Sequence, residues 1–296
     1  MMGEAQYVYP NVTETEQRGG LLDRWGPATA LSCSVVEVPA DRIKNRTEVE
    51  RTGQEIGDFL TRSSIECLYR QDISLPADLR YSLHTDPAIP RVDRHGRRIT
   101  PPLRWYDGAW AGEYTDMLLA VADRLGTPPY AIEIYPGDRK NTGSVLLRAM
   151  ILLSGVFESA FGAAPLLLLV NRADQSISTG SQLRSFWTLL AATCPEIVDT
   201  AGVALNLREL HAAARGDLIN DLEIIPAESL RGFHIRNGRE LHEAAEIPWE
   251  RVFVSIRALP REYLIKPDVY QRSRVESVIG FCRGMLHRAE RELFPR

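Results

Sequence analysis

Five apolar runs in this sequence carry a polar or ionisable side chain at or near their C-terminal ends, and alternation tells which way each one points. In LRYSLH, Leu79, Tyr81 and Leu83 share one face, while Ser82 and His84 share the other. YAIEIY puts Ile132 and Ile134 on one side and Glu133 on the opposite one. Asn206 alternates with Val203, Leu205 and Leu207; His234 and Arg236 alternate with Phe233 and Ile235; Lys266 alternates with Tyr263 and Ile265. Brought to one end of a common sheet, this set could move protons, with Glu133 as general base and His234 as general acid. Lys266 could stabilise developing negative charge, or attack a carbonyl if its amine were desolvated and neutral. The bland alternative is a buried ion pair between Glu133 and Lys266 or Arg236, with the histidines merely hydrogen-bonded.

Further residues suit the binding of a small, polar, anionic or phosphorylated metabolite. Arg172, Arg236, Arg97 and Arg98 match a phosphate or carboxylate. Asn171 and Asn206 can both donate to and accept from hydroxyls or amides. His84 and Asp86 complete the candidate binding set. Of the 35 basic residues, only Lys44, Lys140 and Lys266 are lysines, so the place of each is informative.

The elements that must position these groups alternate along the chain. Strand-like runs are predicted at 7–12, 34–38, 79–84, 130–135, 166–171, 202–206, 231–236 and 262–266. Helical periodicity is predicted at 47–61, 105–125, 143–161, 181–193, 249–259 and 271–293. Eight strands, each followed by helix, in 296 residues fit one (β/α)8 barrel over 1–296, with catalytic groups at the C-terminal strand ends. A doubly wound open sheet is the runner-up, and it lacks the GxGxxG turn of a dinucleotide site. Residues 86–104, rich in proline and arginine, form a long connection suited to a lid.

Composition narrows the function classes. The chain is 44% apolar and 25% charged, with net charge −4, a balance that argues against nucleic acid as the principal partner. No run of about 18–20 apolar residues or basic-then-apolar N-terminus is found, which predicts a cytoplasmic protein with no membrane partner. Cys33, Cys67, Cys194 and Cys282 have no metal-cluster or disulfide spacing.

The motifs SLHTDP at 82–87, IEIYPGD at 132–138, VNRADQSIS at 170–178 and GFHI at 232–235 resemble strand ends of the xylose isomerase-like barrel superfamily. That group includes sugar isomerases and epimerases and the endonuclease IV relatives. The resemblance implies a divalent ion held by a glutamate, an aspartate, a histidine and a glutamate ending strands 5 to 8. In this chain those positions fall on Val170, Asn206, His234 and Lys266, so it implies a degenerate site in which only the histidine survives. A lysine about 4 Å from a divalent ion would oppose it by about 8 kcal/mol at an effective dielectric of about 20. No metal ligand or cofactor is therefore predicted, although Glu133 with His84, Asp86 and His234 is an alternative ligand set.

Three readings follow. The first is a metal-independent enzyme of isomerase, epimerase or lyase type acting on a small anionic metabolite. The second is a catalytically silent barrel that binds a metabolite or scaffolds a partner enzyme or a second copy. The third is a metal-dependent isomerase or endonuclease IV-like phosphodiesterase.

Overall fold

The computed structural model describes residues 3–12, 18–84, 91–92, 98–99, 103–214, 217–236, 247–269 and 271–294. Eight strands form a closed parallel barrel: β1 (Ala5–Tyr9), β2 (Val35–Pro39), β3 (Arg80–His84), β4 (Ala131–Ile134), β5 (Leu166–Val170), β6 (Ala201–Asn206), β7 (Leu230–Ile235) and β8 (Tyr263–Pro267). They pair in chain order and β8 closes onto β1, which makes the chain a (β/α)8 barrel and removes the open sheet. Both faces of a barrel strand are covered, so β5 reads as the unbroken apolar run LLLLV and is buried throughout.

The register decides which side chains share a level. Lys266 pairs with His234, and His234 with Asn206. On the other side, Glu37 pairs with Ser82. Glu133 pairs with Leu168, which in turn pairs with Gly202. A register shift at Val203/Ala204 leaves Ala204 opposite Gly232. A Cβ on Gly232 would come within 3.0 Å of the Ala204 Cβ, so glycine permits the close approach of β6 and β7 below the polar end.

Two expected boundaries change. The first strand occupies 5–9 instead of 7–12 and ends before Pro10, which has no N–H to continue a ladder. The helix expected over 47–61 is two short ones, Arg46–Thr52 and Arg62–Leu68. Gly53, at φ +71°, ends the first in a left-handed cap, and Thr61 caps the second by accepting from the Ser64 N–H.

Helix Gly143–Phe161 is long and apolar enough to cross a membrane by length and composition alone, with mean hydropathy 1.6. Here it is one of the outer helices, and Leu146, Met150, Leu153 and Phe157 are buried along one face. Within the connection 86–104, Arg91–Val92 and Arg98–Ile99 pair as a short antiparallel ribbon.

Candidate active site at the barrel mouth

Lys266, on β8, is 5% exposed and its ammonium bridges two carboxylates from the far side of the barrel. Nζ donates to Oε1 of Glu37 at 2.7 Å and to both oxygens of Glu133 at 2.7 and 2.8 Å. Glu133 Oε1 also lies 3.0 Å from His234 Nε2. The second oxygen of Glu37 accepts the Asn11 N–H at 2.6 Å. His84 stands beside both acids, 3.7 Å from each, and its Nε2 is 3.0 Å from the Tyr135 hydroxyl.

Burial and charge pull in opposite directions within this cluster, and charge prevails. Burial disfavours the ionised form of Glu133, but His234, Lys266 and His84 together hold its carboxyl well below the usual range. The same balance, set by His84 and Lys266, lowers Glu37. For Lys266, burial opposes the ammonium, while Glu133 and Glu37 hold its pKa above the ordinary lysine value. Burial and the nearby acids raise Tyr135 well above its usual range, so it stays a phenol. Two carboxylates and one ammonium are thus the resting charges, a buried network in which each charge has a partner.

The cluster forms part of the wall of a cavity of about 380 Å³. His84, Arg172, Asn206, His234, Arg236 and Lys266, all expected from the sequence, line it. Glu133 is reached through Lys266 and His234. Asn171 is placed differently: fully buried, it accepts from the Asn206 N–H at 2.8 Å and donates to the Asn206 carbonyl at 3.2 Å, clamping the ends of β5 and β6. Asn206 in turn caps helix Leu207–Ala213 by accepting from the Glu209 N–H. Val170 is buried at the end of β5. Arg172 lies 3.6 Å from Asp174 and 3.7 Å from Glu209. Asp86 and Arg97 lie outside the described residues, as does most of the expected lid, and of Arg98 only the main chain is described.

Sequence reasoning missed Glu37, Tyr135, Lys44 and Arg208. The signal for Glu37 was present: a lone glutamate inside the run SVVEV, in phase with Val35. Two of the three lysines, Lys44 and Lys266, face the same cavity. Lys44 pairs with Asp41, whose other oxygen is held by the buried Arg18 at 2.6 Å. Arg18 also forks onto Glu48 at 2.8 and 3.0 Å and donates to the Tyr69 hydroxyl at 2.9 Å.

Glu37, His84 and Glu133 each offer a ligand atom, all within 4.8 Å of one another, the donor types a divalent ion takes. The group does not fit an ion with Lys266 in place, because the ammonium already sits against both acids and would oppose a second cation at that spot.

The fold is that of the xylose isomerase-like barrels. No family model matches the chain, and no curated protein matches its sequence. Among solved structures it is similar to an L-ribulose 3-epimerase, with 11% identity and TM-score 0.58, covering 98% of this chain and 97% of that one. A xylose isomerase domain protein from Alicyclobacillus acidocaldarius subsp. acidocaldarius matches at 14% identity and TM-score 0.52, over 97% and 100%. The IOLI protein, solved with a bound zinc atom, matches at 11% and 0.54, over 98% and 100%. Endonuclease IV structures share the fold as well.

Proposed function

We propose that this chain is a small-molecule enzyme of the sugar isomerase and epimerase kind, moving a proton beside a carbonyl or carbinol carbon of a polar, anionic metabolite without a bound divalent ion. The observation that carries this reading is the Lys266 ammonium, fixed against Glu37 and Glu133 on a cavity wall that also presents His84 and His234. An ammonium held in place before substrate arrives can accept a developing alkoxide or enolate oxygen at little reorganisation cost. Schiff-base chemistry is disfavoured, because both acids resist loss of the Lys266 proton. Glu133, held ionised, is a weak base; its role becomes that of orienting Lys266 and His234. Proton transfer falls to His234 and His84, since imidazole exchanges protons readily near neutrality. Arg172 and Arg236 on the same wall suit the anionic substituent of the substrate, and a cytoplasmic setting belongs to the same reading.

The test is solvent exchange. Chelator-treated protein is incubated in D2O with a panel of phosphorylated and carboxylated aldoses and ketoses, and loss of C–H signals is followed by proton NMR. Exchange that persists in chelator and disappears in His234→Gln is the expected result. Exchange that needs added metal overturns the proposal.

The internal pairing of Glu37, Glu133, Lys266 and His234 also favours a second reading, a silent barrel that binds a metabolite or supports a partner. A panel compound that binds by ligand-observed NMR, yet exchanges no hydrogen, selects it.

A further inference from the structure

We infer that Lys266 is a built-in cation standing where Glu37, His84 and Glu133 converge, and that shortening it uncovers a divalent-metal site with those three residues and His234 as donors. The donors come from β2, β3, β4 and β7, a different set from the strand 5 to 8 positions that here read Val170, Asn206, His234 and Lys266. The inference rests on the geometry of the cluster and holds or fails independently of the reaction proposed above.

The size of the cage supports it. Oxygens arranged tetrahedrally around a nitrogen at 2.7–2.8 Å stand about 4.5 Å apart, whereas ligands around zinc at about 2.0–2.1 Å stand about 3.4 Å apart. The candidate ligand atoms spread over as much as 4.8 Å, the dimension of an ammonium cage. Removing the ammonium leaves two buried carboxylates facing each other with two imidazoles alongside, uncompensated in charge and chemically suited to zinc or cobalt. Closing the cage then needs only side-chain rotation, because each donor sits at or near a strand end on a fixed barrel. An ion has a route in, since His84 and Lys266 both line the cavity.

The experiment compares wild type with Lys266→Ala as full-length, chelator-stripped protein. Each is titrated with Zn²⁺ by calorimetry and with Co²⁺ by its visible absorption. Lys266→Ala is expected to bind one equivalent at least about 100-fold more tightly than wild type, a fraction of the repulsion an adjacent ammonium exerts on a divalent ion. Adding Glu133→Gln to Lys266→Ala should abolish the gain. Wild type binding one equivalent as tightly as the variant overturns the inference, as does a folded Lys266→Ala that binds none. If the variant is unfolded without metal, circular dichroism with added Zn²⁺ decides: folding on addition supports the site, and a chain that stays unfolded rejects it.

Discussion

The Lys266 ammonium bonds both carboxylate oxygens of Glu133, at 2.8 and 2.7 Å, across the interior of the barrel from β8 to β4. Removing one partner of a buried pair leaves the other charge uncompensated, at a typical cost of about 3–5 kcal/mol. Lys266→Met should therefore destabilise the protein by about that much, because Glu37 and Glu133 are then left as neighbouring buried anions. The Lys266→Met/Glu133→Gln double variant should lose less than the sum of the single changes, by at least about 1 kcal/mol. Urea denaturation of the four proteins measures this coupling, and strict additivity would show that the contact is energetically idle.

The same cluster predicts a two-sided pH profile of stability. Glu37 and Glu133 have depressed pKa values in the fold, so their contribution is present above the ordinary glutamate value of about 4.3 and is lost as pH falls through their folded values. Lys266 is raised, so its contribution is complete below the ordinary lysine value of about 10.4 and is lost as pH rises through its folded value. A stability plateau between these limits, with an acid flank that shrinks in Glu133→Gln, is expected from denaturation at successive pH values.

The barrel was legible because alternation and strand-helix order survive without any tertiary information. Glu133, His234 and Lys266 were legible as inward-pointing groups for the same reason. Their pairing was not: alternation gives a face, whereas the bridge to Glu37 depends on closure bringing β8 opposite β2 and β4. Glu37 was hidden by its apolar neighbours in SVVEV, which read as an ordinary buried strand. Asn171 shows the opposite limit, since a polar residue at a strand tip looks identical in sequence whether it turns to a ligand or clamps the adjacent main chain.

His84 separates catalysis from stability. Its side chain is 20% exposed and it bonds Tyr135 at the cavity edge, so His84→Asn should cost no more than about 1 kcal/mol, the net worth of one hydrogen bond. If it carries protons as proposed, hydrogen exchange of the substrate should fall by about 10²–10⁴-fold, the usual contribution of a positioned acid or base. Equal exchange rates in variant and wild type would remove His84 from the reaction.

Asn171 should matter to the fold alone. Its amide satisfies both the N–H and the carbonyl of Asn206 in a fully buried position, and Asn171→Ala strands both groups at about 1–3 kcal/mol each. Because Asn206 begins the next helix, amide exchange in Leu207–Ala213 should quicken along with the fall in stability. Unchanged protection there would mean that the clamp holds β6 only.

Arg18 tests whether the ground behind the cavity is held by charge or by shape. It is 3% exposed and meets Asp41, Glu48, the Tyr69 hydroxyl and the carbonyls of Asp41 and Arg42, a set of acceptors that a planar guanidinium fork can reach together and a lysine cannot. Arg18→Met should cost about 3–5 kcal/mol, as for any buried charge network stripped of its cation. Arg18→Lys keeps the charge but supplies three donors from a single nitrogen, so it should still lose roughly 2 kcal/mol through acceptors left unpaired. Because Asp41 also pairs with Lys44 at the cavity wall, both variants should weaken binding of an anionic ligand as well as stability. If Arg18→Lys matches wild type in urea midpoint and in binding, positive charge alone is sufficient there and the fork geometry contributes nothing.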